Sequence, residues 1–280
     1  MRQEKSTLEP LFLRLAKSRP VRVAIGVKNP TASILHYLKK AYEFCTPVLV
    51  GATAEGFECF TADRPHDLLF ELLKESRVEA IIRGQVSAEP FRAAFAAFYQ
   101  GRVDPGAAFV AVTEDAKGRV LLLSPVTNPR GWDVADKIPL VEASADVLTR
   151  LGLPVKVAVL SYCRQENFDE APVVMRQSHL DADALVEHFT DRLDIRNYGI
   201  DFDIALAENA NVIIEPNGGT GNQVLRSLAF LDALRVYGVP ILNADRTIVE
   251  SMRNSDDFSD HLLLAAALEN LRSARSAPCP

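Results

Sequence analysis

With 280 residues, 48% of them apolar and 24% charged, the chain has the balance of a folded protein large enough for two α/β lobes, and disordered or fibrous classes are excluded. Its 31 lysines and arginines against 37 aspartates and glutamates give a formal charge of −6, so no chain-wide attraction draws it to nucleic acid or an anionic membrane. No apolar run approaches the roughly eighteen residues of a membrane span, and the polar start MRQEKSTLEP lacks the form of a signal peptide.

Residues 8–17 have helical spacing and stop at Arg19-Pro20. Residues 21–26 read as a short buried strand, 32–44 as a helix with Ile34, Leu35, Leu38 and Ala41 on one face, and 47–51 as a second strand. Helix 66–74, strand 78–82 and helix 89–98 continue the alternation. Segments 107–113 and 119–124 flank the turn 114–118 and read as a hairpin. The cluster Pro125-Val-Thr-Asn-Pro-Arg-Gly131 marks a boundary, after which the rhythm restarts. Helix 139–151, strand 155–161, helix 179–193, helix 201–209, strand 211–215, helix 220–237, strand 239–242 and helix 260–273 follow. Short apolar strands alternating with amphipathic helices predict largely parallel sheets covered by helices, arranged as two α/β lobes with a cleft between them.

The most informative stretch is Asn211-Val-Ile-Ile-Glu-Pro-Asn-Gly-Gly-Thr-Gly-Asn-Gln-Val-Leu-Arg226, a buried strand running through a glycine-rich turn into a helix. Thr220 and Gln223 have the spacing of a capping box, which predicts a helix start at Thr220 and outward-facing amides on Gly221, Asn222 and Gln223. Those amides and the helix dipole favour an anion, Gly218, Gly219 and Gly221 allow a ligand close to the backbone, and Arg226 adds a positive charge one turn on. The same stretch also reads as a plain Asn-Gly-Gly connection, and it matches neither Walker A nor the GxGxxG dinucleotide pattern.

Two weaker clusters accompany it. Arg253, with Asp256, Asp257 or Asp260 nearby, has the makings of a phosphate contact and a carboxylate base, or of an ordinary solvated loop before a helix. Arg83 follows the strand 78–82, at a strand's carboxyl end where α/β sheets place ligand loops, or simply in a turn. The five histidines His36, His66, His179, His188 and His261 show no metal-ligand spacing and read as surface or satisfied core residues, so no metal is expected. Cys45, Cys59, Cys163 and Cys279 have no CxxC or finger-like spacing, which fits a reducing cytoplasm and argues against both disulfides and structural zinc.

The order of segments, from about Val21 to Leu271, resembles the phosphate acetyl/butyryltransferase family. The resemblance is carried by the strand-turn-helix containing Gly221-Asn222, by Val48-Leu-Val-Gly51, Ile81-Ile-Arg-Gly84, Lys156-Val-Ala-Val-Leu-Ser161 and Asp201-Phe-Asp203. Asn197-Tyr-Gly-Ile200, the Asn211–Asn222 stretch, Val224-Leu-Arg-Ser-Leu228 and Tyr237-Gly-Val-Pro240 are similar, more narrowly, to the methanogenesis marker group MtxX, which is described as methyltransferase-related.

The resemblance implies the two-lobe isocitrate/isopropylmalate dehydrogenase-like (phosphotransacetylase-like) α/β fold with an interlobe cleft, usually as a homodimer. Residues 1–127 and 241–280 would form the first lobe and 128–240 the second. In the acyltransferases a Ser-Arg pair and a following aspartate hold the acyl phosphate and activate the coenzyme A thiol. Here Arg253 matches the arginine, and Asp260 matches the aspartate if one residue is inserted; Met252 occupies the serine position, with Ser251 displaced by one. Methionine cannot donate a hydrogen bond to a developing oxyanion, which weakens the acyl-transfer reading.

Three functions follow as expectations: an MtxX-like cytoplasmic protein of one-carbon metabolism binding an anionic or phosphorylated small molecule, a phosphate acyltransferase using coenzyme A, or a non-catalytic binding or assembly protein on the same scaffold.

Overall fold

The computed structural model describes residues 6–100, 106–128, 130–251 and 256–276. In chain order the elements are α1 (Leu8–Ala16), β1 (Arg22–Gly26), α2 (Ala32–Ala41), β2 (Thr46–Val50), β3 (Glu58–Phe60), α3 (Pro65–Lys74), β4 (Ala80–Ile82) and α4 (Ala88–Tyr99). The hairpin strands β5 (Ala111–Asp115) and β6 (Val120–Ser124) are followed by α5 (Val134–Arg150), β7 (Lys156–Leu160), α6 (Val173–Phe189), β8 (Asp194–Gly199), α7 (Phe202–Ala207), β9 (Val212–Ile214) and α8 (Gly218–Phe230). The chain closes with β10 (Leu234–Pro240), β11 (Thr247–Glu250) and α9 (Ser259–Ser276).

The chain divides into two compact units, Leu8–Pro105 with Tyr237–Pro280, and Gly106–Val236 with the first residues of the chain. In the first, the strand order is β3-β2-β1-β4-β11-β10. Every pair is parallel except β10 with β11. Strands buried on both faces need unbroken apolar runs, and Val23, Ala24 and Ile25 of β1 with Ala80, Ile81 and Ile82 of β4 supply them. Helix α9 covers β4, β11 and β1 and also packs on α1. It buries Leu262 through Ala267 almost completely, so its apolar surface extends beyond a single stripe. Its Asn270 side chain donates to the carbonyls of Leu15 (2.9 Å) and Ala16 (3.2 Å) at the end of α1 and of Arg19 (2.9 Å) just beyond it.

In the second unit the order is β5-β6-β9-β7-β8. The β5–β6 hairpin is antiparallel; β6–β9, β9–β7 and β7–β8 are parallel. Val212, Ile213 and Ile214 of the central β9 are fully buried. The carboxyl ends of β6, β9 and β7 therefore lie side by side, the edge of a parallel sheet where connecting loops gather.

Several boundaries differ from the sequence expectation. The first division falls at 105/106 rather than 127/128, because the hairpin joins the second unit through the pairing of Leu122–Ser124 with Val212–Ile214. The second falls at 236/237 rather than 240/241. Helix α8 stops at Phe230, well before the expected Tyr237, since Asp232 adopts a left-handed conformation (φ 54°) and the chain re-enters a sheet as β10. Helix α6 begins at Val173, just after Pro172, rather than at His179. Helix α5 begins at Val134, where Asp133 caps it by accepting from the Asp136 amide (2.8 Å), and Pro139 lies inside it rather than at its start. Strands β3, β8 and β11 had no clear sequence signal, being short or rich in polar residues.

Candidate ligand site at the start of α8

The segment 215–222 leaves β9 and turns into α8 at the carboxyl edge of β6, β9 and β7. Helix α8 starts at Gly218, two residues earlier than the capping-box reading, because Asn217 is the N-cap. Asn217 has extended backbone angles (φ −164°, ψ 171°), and its Oδ1 accepts from the amides of Gly219 (2.9 Å) and Thr220 (3.0 Å). The Gly218 amide donates to the Arg130 carbonyl (2.8 Å) and the Gly221 amide to the Asn217 carbonyl (3.0 Å). Every amide from Gly218 to Gly221 thus has a protein acceptor, and Gly221, Asn222 and Gln223 lie inside the helix rather than at an open end.

The glycines are explained by packing. A Cβ on Gly218 would stand 2.1 Å from the Thr127 carbonyl oxygen, and one on Gly221 would stand 2.1 Å from that of Pro125. Residues three apart share a helix face, so Gly218 and Gly221 together let α8 lie directly on the 125–130 loop. The room expected there for a ligand is taken by that loop. Asn222 fastens the same contact by donating from Nδ2 to the Val126 carbonyl (2.8 Å). Gly219 is the more open of the three, its Cβ position meeting only side-chain oxygens of Asn217 (3.1 Å) and Asn128 (3.7 Å).

Around that opening is a small polar cluster. Asn217 donates from Nδ2 to the Tyr162 hydroxyl, which lies 3.0 Å from Thr220 Oγ1. Tyr162, Gly219 and Thr220 are half-buried, and the exposed Asn128 has no partner for its carboxamide among the described residues. Tyr162 follows β7 and was not singled out as a binding residue; its only sequence signal was its place just past a strand's carboxyl end. Arg226 is exposed and its guanidinium lies over the Phe230 ring (5.4 Å), a turn further from the helix start, so it does not join this cluster. Gln223 is exposed on the helix surface.

Beneath the first turn of α8 sits Glu215, 2% exposed, with Oε1 lacking any partner. Burial alone pushes its carboxyl up to about 7.

The other anticipated residues lie in the other unit. Arg83 is buried (5% exposed) and does not stand open at the end of β4. Its Nη1 donates to the Val86 carbonyl (2.6 Å), its Nη2 to the Ser251 carbonyl, and its Nε lies 3.9 Å from Glu250. Ser251 in turn donates its hydroxyl to the Gly84 carbonyl (3.1 Å). These bonds lock the turn after β4 to the end of β11. Asp260 lies in the first turn of α9 and is half-buried, while Arg253 and Met252 fall outside the described residues. His261, on the same helix, is neither at the surface nor satisfied: it is 4% exposed and neither ring nitrogen has a partner. His179 is a satisfied core residue, with Nδ1 near Ser161 Oγ (3.1 Å) and the Cys163 carbonyl (3.2 Å), and Nε2 2.8 Å from Gln165 Oε1. It floors an open polar pocket of about 210 Å³ beside Arg164, Asp183, Asn197 and Asp201. Among the described residues no group of histidine, cysteine and acidic side chains is placed to hold a metal, and no helix is long and apolar enough to cross a membrane.

The arrangement is that of the phosphotransacetylase fold. The chain superposes on a branched-chain phosphotransacylase from Enterococcus faecalis with a TM-score of 0.66 and 18% identity, covering 89% of this chain and 99% of that one. It superposes on the EutD phosphotransacetylase from Staphylococcus aureus with a TM-score of 0.66 and 13% identity, covering 94% and 98%. In sequence it is 30% identical over 274 residues to the "Putative methyltransferase mtx subunit X" of Methanosarcina mazei, covering 93% of this chain and 94% of that protein. It is 27% identical to the protein of that name in Methanosarcina barkeri, covering 93% and 97%. The chain belongs to the mtx subunit X family. No family model matches it.

Proposed function

We propose that this mtx subunit X family member binds a phosphorylated or otherwise anionic small molecule at the start of α8 and serves a methyl-transfer system, as the name of its relatives suggests. The observation that carries the reading is the Tyr162–Asn217–Thr220 cluster, set at the positive end of a 13-residue helix on the carboxyl edge of parallel strands. The first-turn amides are engaged and the Tyr162–Thr220 bond uses one of that pair's two hydroxyl protons, so the donors offered to the anion are the pair's remaining hydroxyl proton and the carboxamide of Asn128. Acyl transfer on the same scaffold has less support: the Ser251 hydroxyl is engaged by Gly84, and the family serine position holds Met252.

Inorganic pyrophosphate titrated calorimetrically at pH 6.5 tests the reading. Wild-type protein binds it, and the folded double variant Thr220→Val/Tyr162→Phe binds about tenfold more weakly, the loss of the hydroxyl hydrogen bond to a charged group. Equal affinity of the two proteins, or no binding to either, rejects the site.

A further inference from the structure

Two polar groups at the carboxyl edge of β6 and β9 lack hydrogen-bond partners among the described residues: the Ser124 hydroxyl, fully buried, and Oε1 of Glu215. Their residues are joined through the backbone, with the Glu215 amide donating to the Ser124 carbonyl (2.7 Å). Buried polar atoms are almost always paired in folded proteins, so an orphaned carboxyl calls for a reason. The stem of Glu215 lies directly under α8: a Cβ placed on Gly221 would be 3.1 Å from its Cγ and 3.2 Å from its Cβ. Glu215 therefore packs against the first turns of the helix assigned above to an anion, and Asn217, which caps it, is only two residues along the chain.

Among the described residues no cation offsets a negative charge there. Strand β6 carries no charged residue. The charged groups on the other packed elements are otherwise engaged: Lys156 of β7 with Glu208 (3.5 Å), Arg226 of α8 over Phe230, and Lys137 of α5 in the field of Asp181, Asp133 and Asp136. Arg130 meets α8 through its carbonyl, which accepts from Gly218. None of them contributes to the electrostatics of Glu215, whose upward shift to about 7 is due to burial alone.

We propose that Glu215 sets the pH range of anion binding at α8: with its carboxyl protonated the turn accepts an anion, and ionisation of that carboxyl weakens the anion's hold. The inference rests on the binding reading above. A negative charge on the buried carboxyl repels an anion held at that turn, and by linkage a bound anion in turn favours the protonated carboxyl. The roles of Glu215 and the polar cluster are separate: the buried carboxyl makes no contact with the cluster's hydroxyls and acts only through its charge.

The experiment uses sulfate, whose own charge is constant between pH 5.5 and 8.5, titrated into wild-type protein and into Glu215→Gln, a near-isosteric change whose folding is checked by thermal melting. Wild-type affinity falls about tenfold from pH 6 to pH 8, while that of the glutamine variant stays level. Sulfate binding with parallel pH profiles in the two proteins overturns the role of Glu215 and leaves the site standing. Absence of sulfate binding in both proteins at every pH overturns the site and this inference with it.

Discussion

Replacing Gly221 with alanine destabilises the protein by about 3 kcal/mol or more, while the same change at Gly219, two residues away, costs about 1 kcal/mol or less. The difference comes from what each added methyl meets. At Gly221 it would be 2.1 Å from the Pro125 carbonyl oxygen, a backbone atom fixed by the loop, and would also press on Glu215. Relief requires α8 to lift away from the 125–130 loop, which also stretches the Asn222–Val126 hydrogen bond. At Gly219 the nearest atom, 3.1 Å away, is the side-chain oxygen of Asn217, which can adjust by tenths of an ångström. Gly218→Ala, facing the Thr127 carbonyl at 2.1 Å, behaves like Gly221→Ala. Urea denaturation of the three variants provides the check. A loss at Gly221 as small as at Gly219 would mean that the motif leaves open space there rather than forming a packed joint.

The second large effect concerns acid stability. His261 is buried against Phe258, with ring centroids 5.8 Å apart, and neither nitrogen is hydrogen-bonded. Burial holds its pKa down to about 4 from the usual 6.5; Arg83 lowers it further and Asp257 opposes the shift. Because the folded state resists the proton that the unfolded chain accepts, the stability contributed by the neutral ring is complete above pH 6.5. It is lost progressively as the pH falls through 6.5 towards 4, by on the order of 3 kcal/mol. His261→Phe removes this loss. The stability difference between variant and wild type is therefore expected to move in favour of the variant by that amount between pH 7 and pH 4. Denaturation curves at successive pH values measure it, and a constant difference across the range would show that His261 does not titrate in this way.

Much of the first unit was legible because its sequence signals are local. The apolar runs of β1, β2 and β4, separated by amphipathic helices with ordinary ends, point to parallel strands without any tertiary knowledge. Strand β8 was hidden because Asp194-Ile-Arg-Asn-Tyr-Gly reads as a polar loop; it is the outer strand of its sheet, where only Ile195, Tyr198 and Gly199 need be buried. The helix start at Asn217 was missed because Thr220 and Gln223 imitate a capping box, while two glycines directly after an N-cap look like turn residues. What decides the matter is the proximity of Thr127 and Pro125, some ninety residues earlier in the chain, and no local pattern reports it. The orphaned carboxyl of Glu215 is likewise a tertiary fact, whereas Arg83, placed correctly at a strand end, turned out to join two segments of the backbone.

The central claim is that an anion sits at the start of α8, and backbone amide chemical shifts followed during titration with inorganic pyrophosphate test it most directly. The largest shifts are expected at Gly219 and Thr220, with smaller ones at Tyr162 and Asn128. Shifts confined to other parts of the chain, with Asn217–Asn222 unmoved at saturating pyrophosphate, would contradict it.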